Sequence, residues 1–394
     1  MKILQINSLF TPRRFGGAEV FLERLSAELV ERGHQVHVAC LSPTPTQHGD
    51  QQLQVHEFAL RNVYWPFDQR PQPAWRKAVW HARNSFGRGG AQDIDTLIQR
   101  EQPDLVHTHN LSGFTSAVWQ AIRARGIPLV HTIHDYALLC VSHTMFRRED
   151  NCSGQCLGCR VLSYPKRDHS RFVDAVVGVS AFALERHLRS GYFPQATPYV
   201  IQNGNPSGTA TPVAAPHSTA ARLRVGYLGR LAPSKGIELM LESLAPLSPH
   251  QCEVLVGGSG ESSYEAQLKQ RFQPAGVKFL GQVQASSFFD AVDVLVVPSL
   301  WHEPFGLVLC EAISAGVPVV ASAVGGIPEV IRHGQCGLLF ERGDGTALRA
   351  HVHDLATHPD LCRQMADRCR VQAAAHVFDR TVDSYLNVYD RALN

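Results

Sequence analysis

The segment Val294–Ser322 constrains the fold more than any other. Val294–Pro298 is a short apolar run with strand character, and the turn Glu303-Pro304-Phe305-Gly306 follows it. Leu307–Ala315 then has helical character before a second strand, Val317–Ala321. Strand, turn, helix and strand in that order is the unit of a parallel sheet, because parallel neighbours need a crossover connection. The chain opens on the same design. Lys2–Asn7 reads as a strand, the loop Ser8–Gly17 closes on Gly16-Gly17, and a helix carries Ala18, Phe21, Leu22, Leu25 and Leu29 on one face. Gly33 stops that helix, and Gln35–Leu41 is the next strand. Asp104–His109, Leu129–His134, Ala175–Ser180 and Tyr199–Asn203 add strands to the first set; Arg224–Gly229, Glu253–Gly257 and Val277–Val283 belong to the second. Between the sets, Gly204–Ala221 is rich in Gly, Pro, Ala, Ser and Thr without periodicity and reads as a linker. At 394 residues the chain is long enough for two such domains, each with its own core.

Pro304 fixes φ and suits a helix start, while Gly306 lets backbone approach a ligand. The N–H groups of Phe305, Gly306 and Leu307 would then face outward at a positive dipole end. Glu303 and Glu311 flank the turn and could share one polyhydroxyl ligand, since carboxylates accept several hydrogen bonds. The alternative is that Glu303 complements the dipole and Glu311 sits on a solvated face. Arg230 and Lys235 lie between a strand and a helix, Ile237–Leu244, where they could clamp a diphosphate, although two surface cations are usually only solvated. Gly16-Gly17 could admit a phosphate or a sugar, or form a plain tight turn; there is no G-x-G-x-x-G fingerprint. Strands ending in His107-Thr108-His109 and in His134-Asp135 put polar groups at the carboxyl edge of a sheet, where such folds bind ligands.

Composition, 44 % hydrophobic and 18 % charged, is that of an ordinary globular protein. A net charge of +2 gives no general attraction to nucleic acid, and no nucleic-acid partner is expected. No apolar run reaches membrane-spanning length and Met1–Phe10 lacks a secretion signal, so the chain is expected in the cytoplasm, at most resting on the inner face of the cytoplasmic membrane. Residues 61–88 could make that contact with an anionic membrane surface. Arg61, Arg70, Arg76, Lys77, Arg83 and Arg88 stand there against Asp68, interleaved with Tyr64, Trp65, Phe67, Trp75, Trp80 and Phe86. The alternative is a loop and helix covering the sheet with a solvated basic edge. Cys140, Cys152, Cys156 and Cys159 could hold a structural zinc ion, with His143 or His169 as substitute ligands, and so fold the polar loop Val141–Arg160; otherwise they are reduced thiols. Four thiolates leave no open position for metal catalysis.

The stretch from Glu303 onward resembles the signature of retaining glycosyltransferases of family four. Glu303-Pro304-Phe305-Gly306 is followed by Glu311 after seven intervening residues, then by Gly316-Val317-Pro318-Val319-Val320-Ala321 and Gly325-Gly326-Ile327-Pro328-Glu329. The resemblance implies the GT-B fold: two Rossmann-like parallel-sheet domains facing each other across a cleft. The first, 1–203, lies on the acceptor side with a terminal helix, 376–394, packed back onto it; the linker is 204–221; the second, 222–375, holds the nucleotide-sugar. The implied reaction transfers a sugar from a nucleotide-diphosphate donor, UDP- or GDP-linked, to a hydroxyl of a glycan, lipid-linked or small acceptor. The anomeric configuration is retained and no metal is required. By resemblance Arg230 and Lys235 contact the diphosphate, Glu303 the sugar hydroxyls, Glu311 the ribose and His134 the transferred sugar. Gly16-Gly17 cover donor and acceptor, and backbone near Gln282-Val283 meets the base. Glu261 stands where the family often has a proline. Many members carry a similar cysteine loop. An epimerase or phosphorylase on the same fold, or a non-catalytic sugar-nucleotide binder, would share most of these residues.

Overall fold

The computed structural model describes residues 1–13, 16–68, 70–205, 222–247 and 250–394. The chain divides into two compact units. Met1–Met145, Cys152–Gln202 and Thr381–Asn394 form the first, Phe146–Asn151 and Asn203–Arg380 the second. From residue 206 onward the expected linker lies outside the described residues.

In the first unit the strands are β1 (Lys2–Ile6), β2 (Gln35–Ser42), β3 (Gln47–Gly49), β4 (Leu53–Ala59), β5 (Leu105–Thr108) and β6 (Leu129–Ile133). After a hairpin that belongs to the second unit, β7 (Phe146–Arg147) and β8 (Asp150–Asn151), come β9 (Ala175–Gly178) and β10 (Thr197–Val200). The connecting helices are α1 (Gly17–Glu31), α2 (Ala74–Phe86), α3 (Ala91–Glu101), α4 (Ala117–Ala124), α5 (Leu157–His169) and α6 (Ala181–Arg189). The sheet runs β10-β9-β6-β5-β1-β2-β4-β3, and only the β3–β4 pair is antiparallel. From β1 the chain builds outward through β2 and β4, then returns to build the other way through β5, β6 and β9. That reversal opens a crevice beyond the carboxyl ends of β1 and β5. The sheet's apolar residues explain the packing: Ile3, Leu4 and Ile6 are buried, as are Phe21, Leu22, Leu25 and Leu29 of α1. Gly33 ends α1 at φ +83, a conformation open to glycine.

The second unit repeats the plan with β11 (Leu223–Leu228), β12 (Cys252–Gly257), β13 (Lys278–Gly281), β14 (Val294–Val297), β15 (Val319–Ser322) and β16 (Gly337–Phe340). Its helices are α7 (Ile237–Leu244), α8 (Ser262–Phe272), α9 (Ala285–Asp290), α10 (Leu307–Ser314), α11 (Ile327–Val330), α12 (Gly345–Thr357) and α13 (Pro359–Ala373), and α14 (Phe378–Leu393) closes the chain. Strand order β13-β12-β11-β14-β15-β16 places this unit's crevice between β11 and β14.

Two sequence expectations shift. The strand expected at Tyr199–Asn203 is β10, Thr197–Val200, at one edge of the sheet. Pro198 is tolerated there because an edge strand leaves one side of its ladder unpaired. On α14, Phe378, Val382, Tyr385 and Tyr389 are buried as their spacing implies, but Leu393 at the last turn is exposed. From Thr381 onward this helix belongs to the first unit. The Tyr389 hydroxyl and His107 Nδ1 are 2.7 Å apart, the Tyr385 hydroxyl lies 3.1 Å from Thr132 Oγ1, and Thr381 donates to the Gln202 carbonyl at 3.1 Å. Among the described residues no helix is long and apolar enough to cross a membrane.

Candidate functional site

In the second unit, the loop after β11 and the loop after β14 meet at the crevice. Lys235 ends a tight turn, Pro233–Lys235, and Gly236 follows at φ +70. A Cβ on Gly236 would lie 1.9 Å from the Pro298 carbonyl oxygen, so only glycine lets the two loops touch. The Ser234 carbonyl then accepts the N–H groups of Leu300 and Trp301, at 2.9 and 3.1 Å. This brings Lys235 onto Glu303, donating to both carboxylate oxygens at 3.0 and 2.7 Å. Trp301 Nε1 donates to Oε2 at 2.9 Å and Ser299 Oγ to the same oxygen at 3.1 Å. Lys235 Nζ also lies 5.0 Å from the centroid of the Trp301 ring. Oε2 is saturated and Oε1 keeps spare acceptor capacity. Nothing in the sequence marks Trp301 and Ser299, because a side-chain donor to a carboxylate leaves no spacing signature.

Glu303 is held from behind by the glycine pair of the signature. Gly325, at φ +58, would place a Cβ 2.1 Å from the Glu303 carbonyl oxygen, and Gly326 N–H donates to that oxygen at 2.8 Å. A second brace comes from the hairpin β7–β8. Asn151 Nδ2 donates to the Leu300 carbonyl and Asn151 Oδ1 accepts the His302 N–H, both at 2.8 Å. Arg342 ties the hairpin down by donating to the carbonyls of Leu300 and Glu149, each at 2.6 Å, and pairs with Asp150 at 2.8 Å.

Around this cluster, Gly306 caps α10 at φ +90, and the N–H groups of Phe305, Gly306 and Leu307 donate to no acceptor among the described residues. Arg230 is exposed, and among the described residues its guanidinium makes no ion pair; its carbonyl accepts the Tyr227 hydroxyl at 2.8 Å. Glu311 is half-buried and burial pushes its carboxyl up. Val283 stands at the edge of exposure against Gly257, where a Cβ would meet its methyl at 2.9 Å.

The remaining expected residues lie in the first unit. His134, just past β6, shares a 2.9 Å hydrogen bond between its Nε2 and His109 Nδ1, and its ring lies near Phe21 of α1. Burial lowers the His134 pKa to about 4, against the opposing pull of Asp135, so the ring is neutral at pH 7. A neutral imidazole can hydrogen-bond a sugar; it brings no positive charge to a departing group. Asp135 instead accepts the Ala137 N–H at 2.7 Å and faces His143 at 3.6 Å. Gly16 N–H is taken by Glu19 at 2.8 Å. Its φ of −165 is open to any residue, and among the described residues a Cβ would meet only Glu19, at 3.9 Å.

The four cysteines differ in exposure. Cys140 and Cys159 are buried with their sulfurs 3.8 Å apart, whereas Cys152 is half-buried and Cys156 exposed. Among the described residues the one convergent set of three metal-capable side chains is His37, His56 and Glu101, elsewhere in the unit. Burial pushes the Cys159 thiol up to about 12, and Lys166 Nζ donates to the Ala137 carbonyl at 2.8 Å. The loop has other anchors. Tyr136, Leu138, Leu139 and Met145 are buried, Gln155 Nε2 donates to the Leu139 carbonyl at 2.8 Å, and Arg186 donates to the Cys152 carbonyl.

Known proteins share both the sequence and the architecture. The family described as Glycosyl transferases group 1 matches residues 218–372, and Glycosyltransferase Family 4 matches residues 15–205. The chain is 31 % identical to an uncharacterized 42.6 kDa protein in the cps region of Klebsiella pneumoniae, over 84 % of this chain and 88 % of that protein. It is 31 % identical to a D-inositol 3-phosphate glycosyltransferase of Streptomyces scabiei, over 74 % of this chain and 68 % of that one. Among solved structures, a sucrose-phosphate synthase from Thermosynechococcus elongatus superposes with a TM-score of 0.78 at 22 % identity, covering 99 % of this chain and 98 % of the other. HepE from Anabaena, in complex with UDP and glucose, superposes with a TM-score of 0.70 at 20 % identity, covering 98 % of each.

Proposed function

Because the chain belongs to the group 1 glycosyltransferases, which have the GT-B fold, we propose that it moves a sugar from a nucleotide-diphosphate donor to a hydroxyl acceptor with retained configuration. The observation that carries the reading is the cluster beyond β11 and β14, in which Lys235 sits between the Glu303 carboxylate and the Trp301 ring. Departure of the nucleoside diphosphate builds negative charge. Lys235, the exposed Arg230 and the N–H groups of Phe305, Gly306 and Leu307 are the groups to meet it, each worth about 3 kcal/mol if it acts like an oxyanion donor. Fixed cations and amides take that charge in this scheme, and we assign no metal. Glu303 orients Lys235 through Oε2 and offers Oε1 to a sugar hydroxyl, while Glu311 takes the ribose. His134 donates or accepts one hydrogen bond at the sugar, Gly16-Gly17 leave room beside it, and backbone near Val283 meets the base. A carboxylate already accepting four hydrogen bonds, from Lys235, Ser299 and Trp301, is a poor nucleophile, which favours a same-face displacement over a covalent intermediate.

HepE is seen with UDP, which favours a uridine nucleotide, and the cps-region relative favours polysaccharide or glycoconjugate synthesis on the cytoplasmic side. Incubation with a panel of nucleotide-sugars, following released nucleoside diphosphate with and without acceptor, tests the class. Donor consumption that needs no acceptor would point to an epimerase or a phosphorylase instead. Lys235→Ala should lower turnover at saturating donor and acceptor by roughly a hundredfold; unchanged turnover rejects the assigned role.

A further inference from the structure

We propose that α2 and α5 together form a docking face for an anionic lipid bilayer. The two helices pack side by side in the first unit. On α2, Trp75, Val79 and Phe86 are 67, 37 and 56 % exposed; on α5, Leu157, Val161 and Tyr164 are 77, 52 and 57 % exposed. Spacings of four and seven residues put each trio on one helical face. The opposite sides are buried, through Trp80, Asn84 and Ser85 on α2 and Cys159, Ser163 and Lys166 on α5. Single exposed apolar residues are normal on a soluble protein. Here, six of the eleven large exposed apolar side chains among the described residues lie on these two neighbouring helices. No comparable concentration lies elsewhere among them.

Charge selects the occupant. α2 carries Arg76, Lys77 and Arg83 and no acid; α5 carries Arg160, Lys166 and Arg167, with Asp168 engaged by Arg171 at 2.6 Å. Lys77, Arg83, Arg160 and Arg167 are exposed, and among the described residues none of them makes an ion pair. At about 100° per residue, Arg83 flanks the apolar face of α2 and Arg160 and Arg167 flank that of α5, while Lys77 lies on the far side of α2. Apolar and aromatic side chains flanked by basic ones match the boundary of a bilayer with anionic headgroups, where aromatic rings sit at headgroup level and long cations reach phosphate. A second copy of this chain is the poorer occupant, because a two-fold contact would set like charges against each other. Part of the basic segment 61–88 serves the fold instead. Trp80 Nε1 donates to the Tyr64 carbonyl at 3.2 Å, Arg76 to the Val63 carbonyl at 2.8 Å, and Arg61 pairs with Asp93 at 2.6 Å. The face therefore draws half of its apolar residues from α5, outside that segment.

Membrane docking stands apart from the transfer chemistry, so its test needs no substrate. The full chain is sedimented with phosphatidylglycerol–phosphatidylcholine vesicles and with pure phosphatidylcholine vesicles over a salt series. Binding to the anionic vesicles should weaken steeply with salt, and pure phosphatidylcholine should bind weakly. Each cation at an anionic surface strengthens binding about fivefold, so Arg83→Gln/Arg160→Gln/Arg167→Gln should weaken it on the order of a hundredfold. Trp75→Ser/Leu157→Ser should weaken it about tenfold or more. Both variants alter exposed side chains and should unfold at the wild-type temperature. Three results would overturn the proposal: no anionic-vesicle binding at low salt, equal affinity for both vesicle types, or unchanged binding in both variants. So would a wild-type dimer that Trp75→Ser/Leu157→Ser dissociates while vesicle binding stays unchanged.

Discussion

Trp301 separates two ways of serving a carboxylate, because its indole N–H donates to Glu303 while its ring faces the Lys235 ammonium. Trp301→Phe deletes the first contact and keeps the second; a lost hydrogen bond of this kind costs about 1 kcal/mol, or roughly fivefold in kcat/KM. Trp301→Ala also removes the ring from beside the Lys235 ammonium, a contact worth about 1 to 2 kcal/mol, so its kcat/KM should fall by a further fivefold or more. Equal losses in steady-state assays of the two variants would deny the ring any part in holding the cation. At this scale the sequence was legible where chemistry follows chain spacing. Lys235, Glu303 and Gly306 meet at the loop ends where their motif predicts. It was illegible where contact depends on the tertiary path, as for Trp301 and Ser299. Nor could residue identity alone show that His134 is neutral, since that follows from burial.

The hairpin β7–β8 is the element least visible in the sequence. Its turn residues Arg148 and Glu149 both have positive φ, 52 and 63, positions usually filled by Asn, Asp or Gly. Nothing in their side chains announces a tight turn, and the segment read as part of a polar cysteine loop. Pro165 inside α5 similarly hid a helix, since proline ordinarily ends one. The hairpin's Asn151 imitates a strand partner for Leu300 and His302, the residues that lead into Glu303. Asn151→Ala should lower kcat/KM by about tenfold through loss of two hydrogen bonds to backbone. Asn151→Asp keeps the acceptor for His302 and should recover part of the activity. If both variants lower only the unfolding temperature and leave kcat/KM intact, the hairpin braces the fold without positioning the site.

Over the whole molecule, the alternation of short strands with amphipathic helices was enough to read two parallel sheets. The sheet edges were not readable, because edge strands such as β10 tolerate proline and carry weak patterns. The two units differ in how they respond to acid. His56, His134 and His187 have pKa values lowered to about 4 and His131 to about 3, with burial the largest cause in each, and all four lie in the first unit. Unfolded, these rings would titrate near 6.5. The unfolded chain therefore binds more protons between those values, and stability falls as pH drops from about 6.5 toward 4, on the order of 1 kcal/mol or more per ring. Hydrogen exchange should show the first unit opening before the second in mild acid; protection unchanged between about pH 7 and pH 4.5 would contradict this. The assignment of 146–151 to one unit and of the last 14 residues to the other means that the polypeptide changes unit four times. Neither unit is thus a continuous cassette. A chimera of two relatives spliced only within 204–221 would lay one parent's Tyr385 and Tyr389 against the other parent's His107 and Thr132. Lineages that trade specificity by recombination must carry the tail with the sheet it covers.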